Sequence, residues 1–199
     1  MTQTPPHIAL IIGSTREQSR TAKSVRFVAG CLEAQHGASV DVIDPRDLVL
    51  KFPGQEGAED FEADLTQRVA RADAVLLGTP EYHGSFSAVL KAFIDCLGYP
   101  SALEGKPIAM IGVAAGRMGA AKSLEHLAGV CLHVGAMVLP GAVSISKAYA
   151  AFDDQGACVD PEIAAELTHL ALVLVEAARG HLLFDSNLEH SAQEHSPRD

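Results

Sequence analysis

The chain has 199 residues, of which 48% are hydrophobic, and it carries a formal net charge of −10 at pH 7. This length suits one α/β domain with its own core better than two domains, and the hydrophobic content argues against disorder. The charge argues against a nucleic-acid partner, and no apolar run approaches the roughly 18 residues of a membrane-spanning helix.

The first half of the chain is predicted to alternate between strands and helices. Uninterrupted apolar residues at 8–12 are typical of a strand that is covered on both faces. Apolar residues at spacings of three and four predict the helices, and prolines and glycines predict the loop. The predicted elements are a strand over 8–12, a helix over 19–35, a strand over 39–44, a loop over 45–59, a helix over 61–72 and a strand over 74–78.

The second half of the chain continues this alternation. Its predicted elements are a helix over 85–97, a strand over 107–114, a helix over 118–134 and a strand over 137–145 that Pro140 and Gly141 interrupt. A last helix is predicted to begin at Pro161, because Asp160 suits the N-cap and proline suits the first turn. Its apolar face continues to residue 178.

Five strands that alternate with five helices imply a doubly wound parallel sheet with helices on both faces. A count of five fits the flavodoxin-like strand order 2-1-3-4-5, which brings the loops after strands one, three and four together. We expect one domain over residues 1–185, followed by a polar, frayed tail over 186–199.

The loop after the first strand has the composition of a phosphate-binding site. Its donors are the hydroxyl groups of Ser14, Thr15, Ser19 and Thr21, the guanidinium of Arg16 and the free amides of the following helix. A helix N-terminus adds roughly half a positive charge, and an arginine can bond a phosphate with two donors. The chain has neither G-x-x-x-x-G-K-[ST] nor G-x-G-x-x-G after this strand, which disfavours a P-loop NTPase and a dinucleotide-binding Rossmann unit. An ordinary Ser/Thr helix cap remains the alternative.

The loop after the third strand, residues 78–85, suits a flat heterocycle. Pro80 stiffens the turn, and Gly84 lets the backbone approach a ligand. Tyr82 and His83 can line a ring, while amides at the start of the following helix can bond its polar edge. A phosphate site beside a ring site suggests a mononucleotide such as FMN, although either loop taken singly also fits ordinary turn and capping residues.

A third loop, residues 114–119, follows the fourth strand. Its small residues would let the other edge of a ring pack against the backbone. Arg117 can reach a nicotinamide phosphate or a neighbouring subunit, and a solvated surface charge is the alternative.

The four cysteines and nine histidines do not suggest a metal site. No two cysteines form a C-x-x-C pair, and no H-E-x-x-H motif occurs. Residues 1–6 lack the basic and apolar stretches of a signal peptide. We therefore expect reduced cysteines in a cytoplasmic protein without a bound metal.

The loops together resemble those of the NAD(P)H-dependent FMN reductases, a flavodoxin-like family that includes flavin, quinone, chromate and azo reductases. The resemblance rests on residues 13–21 and on residues 80–87 with Leu90, Lys91 and Asp95. Residues 105–107 and 152–156 also fit.

The resemblance implies that FMN is held at its phosphate and at its isoalloxazine ring. The implied phosphate contacts are Ser14, Arg16, Ser19 and Thr21, and the implied ring contacts are Pro80, Glu81, Tyr82, His83, Gly84, Ser85, Ala115, Gly116 and Arg117. No catalytic side chain is implied, because the flavin carries the chemistry.

The resemblance further implies a reaction and its partners. NADPH or NADH would give a hydride to flavin N5, and a small-molecule acceptor would then be reduced in a ping-pong cycle. The acceptor classes are free flavin, quinones, azo compounds and metal oxyanions. A homodimer or homotetramer is implied, and a flavin-dependent monooxygenase is a further implied partner.

Two functions of other classes remain open at this point. A flavodoxin-like electron carrier would bind FMN without oxidising NAD(P)H, and the acidic surface favours such a carrier. A serine hydrolase is disfavoured, because the chain contains no G-x-S-x-G motif.

Overall fold

The computed structural model describes residues 4–181, so the predicted domain boundary at 185 and the polar tail over 186–199 lie outside the described residues. The strands are β1 (His7–Ile12), β2 (Ser39–Ile43), β3 (Ala74–Pro80), β4 (Pro107–Val113), β5 (Met137–Val138) and β6 (Val143–Ile145). The α-helices are α1 (Arg20–His36), α2 (Ala58–Arg71), α3 (Ala88–Asp95), α4 (Ala121–His133) and α5 (Pro161–Ala178). A short 3-10 helix, Pro45–Asp47, lies within the predicted loop over 45–59.

The sheet has the predicted order β2-β1-β3-β4-β5, and its pairings are parallel. The flavodoxin-like prediction is therefore confirmed. The predicted fifth strand, 137–145, is divided into β5 and β6, and both of them pair with β4. Pro140 has no amide hydrogen to give to the sheet, and Gly141 has a φ of 82°, outside the extended region, so the strand cannot continue through them.

Helices cover both faces of the sheet. Leu10 of β1 packs in one core with Val28 of α1 and Leu170 of α5. The next residue, Ile11, packs in the opposite core with Phe93 of α3 and with residues of α2 and α4. Burial on both faces explains why the strands lack alternation between apolar and polar residues. Among residues 4–181, no helix combines the length and the hydropathy that a membrane crossing requires.

Capping residues set the ends of α1 and the start of α3. The N-cap Ser19 accepts a hydrogen bond from the amide of Ala22, and α1 ends before Gly37, which has a left-handed φ of 62°. The start of α3 differs from the prediction, because this helix begins at Ala88 after the N-cap Ser87 and not at residue 85. Residues 85–87 belong instead to the end of a hairpin and to the segment that connects this hairpin to α3.

Two glycines let helices approach the carboxyl ends of the central strands. A Cβ atom on Gly78 of β3 would overlap the side chain of Val25 in α1. A Cβ atom on Gly112 of β4 would lie 2.7 Å from Cβ of Ala120 and 2.8 Å from Cγ of Leu124. Because side chains cannot pack this closely, glycine at both positions keeps α1 and α4 near the loops that follow the strands.

Candidate functional site

The predicted loops meet in one cleft of about 240 Å³ at the carboxyl ends of β1, β3 and β4. The lining residues are Ser14, Arg16, Gln18, Ser19, Arg20, Thr21, Pro80, Tyr82, Val113, Ala114, Ala115, Ala148 and Tyr149. They come from the loops after β1, β3, β4 and β6. This is the position at which open parallel sheets bind their ligands.

One end of the cleft is the N-terminus of α1. Ser14, Ser19 and Thr21 are buried at this end. Oγ of Ser19 accepts a hydrogen bond of 3.1 Å from the amide of Ala22, which leaves the hydroxyl hydrogen available to a ligand. The amides of Arg20 and Thr21, the first two of α1, have no hydrogen-bond partner among residues 4–181. Free helix amides and the helix dipole both favour an anion here.

Two arginines face the same end. The buried Nε of Arg20 has no hydrogen-bond partner within the described part of the chain, while Nη1 of Arg20 donates to the carbonyl of Gln18 at 3.2 Å. The guanidinium carbon of Arg16 lies 5.1 Å from the centroid of the Tyr82 ring, so Arg16 spans the two loops. A buried guanidinium nitrogen without an acceptor is unfavourable unless a ligand supplies one. The donor set therefore fits a phosphate monoester such as that of FMN.

The other end of the cleft is lined by aromatic and small side chains. Tyr82 and Tyr149 are 37% and 64% exposed, and Ala115 and Ala148 complete the wall. Pro80 is the last residue of β3 and fixes where the loop leaves the sheet. Flat aromatic faces beside small side chains leave space for a planar ring.

The ring loop is a tight hairpin rather than the first turn of a helix. Tyr82 and Ser85 exchange two backbone hydrogen bonds of 2.9 and 3.1 Å around His83 and Gly84, whose φ angles are 51° and 76°. Two left-handed residues in succession are what a two-residue hairpin turn requires. The amide of Glu81 donates to a carbonyl of β4. Among residues 81–85, the backbone amides without a partner in the described part of the chain are those of His83 and Gly84.

Glu81 connects the ring loop to α4. This helix begins at Ala121, three residues later than predicted, and its N-cap Ala120 offers no side-chain acceptor. Oε2 of Glu81 instead accepts a hydrogen bond of 3.1 Å from the amide of Ser123. A carboxylate near a helix N-terminus is also favoured by the helix dipole. Glu81 thus caps α4 from another element and holds the hairpin in place.

Replacing Glu81 with alanine is expected to lower the free energy of unfolding by about 1 kcal/mol, which is the usual cost of losing a helix cap. The amide of Ser123 would lose its acceptor. Urea denaturation of the wild type and the variant measures the difference. Glu81→Gln is the matched control, because its amide oxygen still accepts the bond and should restore most of the stability. Equal loss in both variants would contradict the capping role.

Six of the predicted site residues lie beside the cleft rather than on its wall. They are Glu81, His83, Gly84, Ser85, Gly116 and Arg117. Ser85 lines a separate groove of about 880 Å³ between α3 and α4, where its Oγ lies 3.1 Å from Nδ1 of His126. The carbonyl of Gly116 accepts from the amide of Lys147 at 3.2 Å, which holds the third loop against the segment after β6, and Arg117 is exposed.

Sequence reasoning did not assign a role to four positions of the wall: Gln18, Arg20, Ala148 and Tyr149. Gln18 and Arg20 lie inside the predicted phosphate loop, so their polar side chains were a usable signal. Ala148 and Tyr149 follow β6, and the interrupted strand gave no sign that this segment returns to the carboxyl end of β4.

Comparison with known protein families gives a match between residues 6–150 and the family described as NADPH-dependent FMN reductase. The chain belongs to this family. The resemblance found in the sequence is therefore confirmed, and this FMN reductase is an oxidoreductase with FMN and NAD(P)H as its cofactors.

Relatives of this FMN reductase are named as reductases of FMN or of quinones. It is 42% identical over 162 residues to an NAD(P)H-dependent FMN reductase of Pseudomonas aeruginosa, a match that covers 75% of this chain and 83% of the relative. It is 31% identical over 161 residues to a quinone reductase of Pseudomonas putida, covering 75% of this chain and 82% of the relative.

A solved structure with the same fold is that of FerB, a flavoenzyme NAD(P)H:(acceptor) oxidoreductase from Paracoccus denitrificans. The two superpose with a TM-score of 0.75 and share 28% sequence identity. The match covers 89% of this chain and 100% of FerB.

Proposed function

We propose that this FMN reductase binds FMN in the cleft described above, hereafter the flavin cleft, oxidises NAD(P)H and reduces a small-molecule acceptor. Bound FMN supplies the hydride chemistry, so no catalytic side chain is required. One observation carries the proposal: the N-terminus of α1 and the tyrosine-lined end belong to the same cleft, and Nε of Arg20 beside α1 has no partner among residues 4–181.

The side chains of the cleft bind and orient the flavin. We assign the phosphate to Ser14, Arg16, Ser19, Arg20 and Thr21, and the ring to Pro80, Tyr82, Ala115 and Tyr149, with the amides of His83 and Gly84 available to its polar edge. Glu81, Ser85, Gly116 and Arg117 belong to the segments that hold these loops together.

We propose a ping-pong reaction, in which NAD(P)H leaves before the acceptor enters. The exposure of Tyr82 and Tyr149 on the open side of the cleft supports a single face that both substrates use in turn. Free flavin, quinones, azo compounds and metal oxyanions are the acceptors to compare, because relatives are named as FMN reductases and quinone reductases.

The first experiment is a visible spectrum of the purified protein after incubation with FMN and desalting, followed by anaerobic NADPH and then NADH. Retained FMN that bleaches with either nucleotide supports the proposal. Retained FMN that stays oxidised with both favours the electron carrier that the net charge of −10 also suits. A protein that neither retains FMN nor turns over free FMN would contradict both functions.

The proposal also includes the location of the enzyme in the cell, its oligomeric state and its protein partner. We place it in the cytoplasm, as the cysteine pattern suggests, and the sequence resemblance implies a homodimer or homotetramer. A flavin-dependent monooxygenase is the expected partner if reduced FMN leaves the cleft. Light scattering on the eluting chromatography peak measures the mass, and a monomer would contradict the oligomer.

A further inference from the structure

A network of charged side chains links the end of β2 to the loop after β1, residues 13–19, which we call the phosphate loop. The centre of this network is Asp44, directly after β2, whose side chain is only 1% exposed. Nη2 of Arg26 donates a hydrogen bond of 2.8 Å to Asp44, and Nε of Arg46 donates one of 3.0 Å. Because a buried charge requires partners, the Asp44 carboxylate holds both guanidinium groups in place.

Of these two arginines, Arg46 also bonds the phosphate loop. Its Nη1 donates a hydrogen bond of 3.3 Å to the carbonyl of Glu17. Arg26 has no side-chain hydrogen bond among residues 4–181 other than the one to Asp44. A guanidinium group presents its donors in a rigid plane, so Arg46 can bond Asp44 and Glu17 at the same time. The carbonyl of Glu17 is therefore fixed from a neighbouring strand.

The peptide between Glu17 and Gln18 lies between two clefts. Glu17 and Arg46 line a neighbouring cleft of about 350 Å³, whereas Gln18 lines the flavin cleft. This peptide is trans, so it is planar and its carbonyl and its amide hydrogen point in opposite directions. Since the carbonyl is bonded on the side of Arg46, the amide of Gln18 is directed away from Arg46, to the side of the flavin cleft.

The amide of Gln18 is available to a ligand. It has no hydrogen-bond partner within the described part of the chain, like the amides of Arg20 and Thr21 at the start of α1. Neighbouring free amides at a helix N-terminus bind phosphate. A donor that is already oriented loses less conformational freedom on binding than a donor that must first be ordered. Fixing the Glu17 carbonyl thus prepares the next amide for a phosphate.

We propose that Arg46 is a positioning residue for FMN, which orients the peptide between Glu17 and Gln18 so that the amide of Gln18 donates to the FMN phosphate. The inference rests on the proposed function, because it requires the phosphate of FMN at the N-terminus of α1. Arg46 does not line the flavin cleft, so it acts through the phosphate loop and not by contact with FMN. Asp44 orients Arg46 and so supports the same hydrogen bond.

The test compares the affinities of the wild type and Arg46→Gln for FMN and for riboflavin, measured by quenching of flavin fluorescence. Riboflavin carries the isoalloxazine ring without the phosphate. In Arg46→Gln we expect FMN to bind about tenfold more weakly, as for one lost hydrogen bond to a charged group, and riboflavin to bind as it does to the wild type. A merely structural defect would weaken the binding of both flavins.

The matched control is Arg26→Gln, which removes the same charge from the same carboxylate but no bond to the phosphate loop. It should bind FMN like the wild type. If riboflavin binds too weakly to be measured, the FMN affinities of Arg46→Gln and Arg26→Gln decide the question. Arg46→Lys serves if the glutamine variant does not fold. Its ammonium group can pair with Asp44 but lacks the planar set of donors that also reaches Glu17, so its affinity for FMN should fall as well.

Three results would overturn the inference: FMN affinity that is unchanged in both Arg46 variants, an equal loss of FMN affinity in Arg26→Gln, or an equal loss of affinity for FMN and riboflavin. Each of these results can occur in a protein whose wild type retains FMN and oxidises NAD(P)H, in which case the proposed function stands. A wild type that neither binds FMN nor oxidises NAD(P)H would instead overturn the proposed function.

Discussion

Replacing Gly13 with alanine is expected to weaken FMN binding about a hundredfold and to lower the free energy of unfolding by about 2 kcal/mol. The phosphate loop begins at this residue. A Cβ atom there would lie 2.7 Å from the carbonyl oxygen of Gly78, 3.0 Å from Cβ of Leu90 and 3.1 Å from Oγ of Ser87. The nearest of these atoms is backbone, so it cannot move aside as a flexible side chain can.

The hydrogen bonds of Gly13 explain why replacing this residue should weaken FMN binding. Its amide donates to the carbonyl of Gly78 at 2.7 Å, and Oγ of Ser87 donates to its carbonyl at 2.6 Å. Gly13 therefore joins the phosphate loop to the end of β3 and to the N-cap of α3. A methyl group that separates these partners moves the donors of the loop, and the loss of two charged hydrogen bonds to phosphate corresponds to about a hundredfold in affinity.

Quenching of FMN fluorescence measures the affinity, and urea denaturation measures the stability. Gly30→Ala is the matched control, because a Cβ atom on Gly30 of α1 meets nothing within 4 Å. Alanine in a helix is favoured over glycine by about 0.5–1 kcal/mol, so this control should be at least as stable as the wild type. If Gly13→Ala binds FMN as tightly as the wild type, then binding of the FMN phosphate does not depend on the geometry of this loop.

The sheet and the position of the site were predictable because they follow from local patterns. The uninterrupted apolar run of β1 predicted a strand buried on both faces, and the structure buries it between two cores. Alternation of strands and helices forces the loops after parallel strands to one edge. We could therefore predict that the phosphate loop and the ring loop lie together without knowing any side-chain contact.

The helix after the ring loop was predicted to begin three residues too early. His83 and Gly84 take up left-handed φ angles in the hairpin. The predicted helix began at residue 85, whereas α3 begins at Ala88 after the N-cap Ser87, whose Oγ accepts from the amide of Leu90 at 3.1 Å. The position of this N-cap depends on Gly13, just after β1, and on Thr79 of β3, which both accept hydrogen bonds from Ser87.

Contacts between distant segments were not predictable from one sequence. Glu81 caps a helix 42 positions away, and no spacing rule connects the two. A cleft of about 350 Å³ likewise brings Lys23 and Arg26 of α1 together with Arg46 and the loop before α5. Asp44 ended the predicted second strand without any assigned role. Only the structure shows that its burial orients two arginines.

Replacing Asp44 with asparagine is expected to lower the free energy of unfolding by about 2 kcal/mol at pH 7. Burial alone would raise the pKa of the Asp44 carboxyl, but the hydrogen bonds from Arg46 and Arg26 outweigh it and hold the pKa at about 2, below the ordinary 3.8. Each unit of lowered pKa corresponds to about 1.4 kcal/mol of stability in the ionised state. Asparagine has similar size but no charge, so it loses this contribution and leaves two guanidinium groups close together.

The pH dependence of the free energy of unfolding distinguishes the loss of the Asp44 charge from a simple packing defect. Because the pKa is lower in the folded state, the wild type has the full contribution above the unfolded pKa of about 3.8 and loses it as the pH falls toward 2. Urea denaturation at pH 7, 5 and 3 should therefore show a difference between wild type and Asp44→Asn that is constant from pH 7 to 5 and smaller at pH 3. Asp47→Asn, three residues along at an exposed position, should leave the stability unchanged. A difference that stays the same down to pH 3 would assign the loss to packing, and no difference at pH 7 would mean that the buried carboxylate does not stabilise the fold.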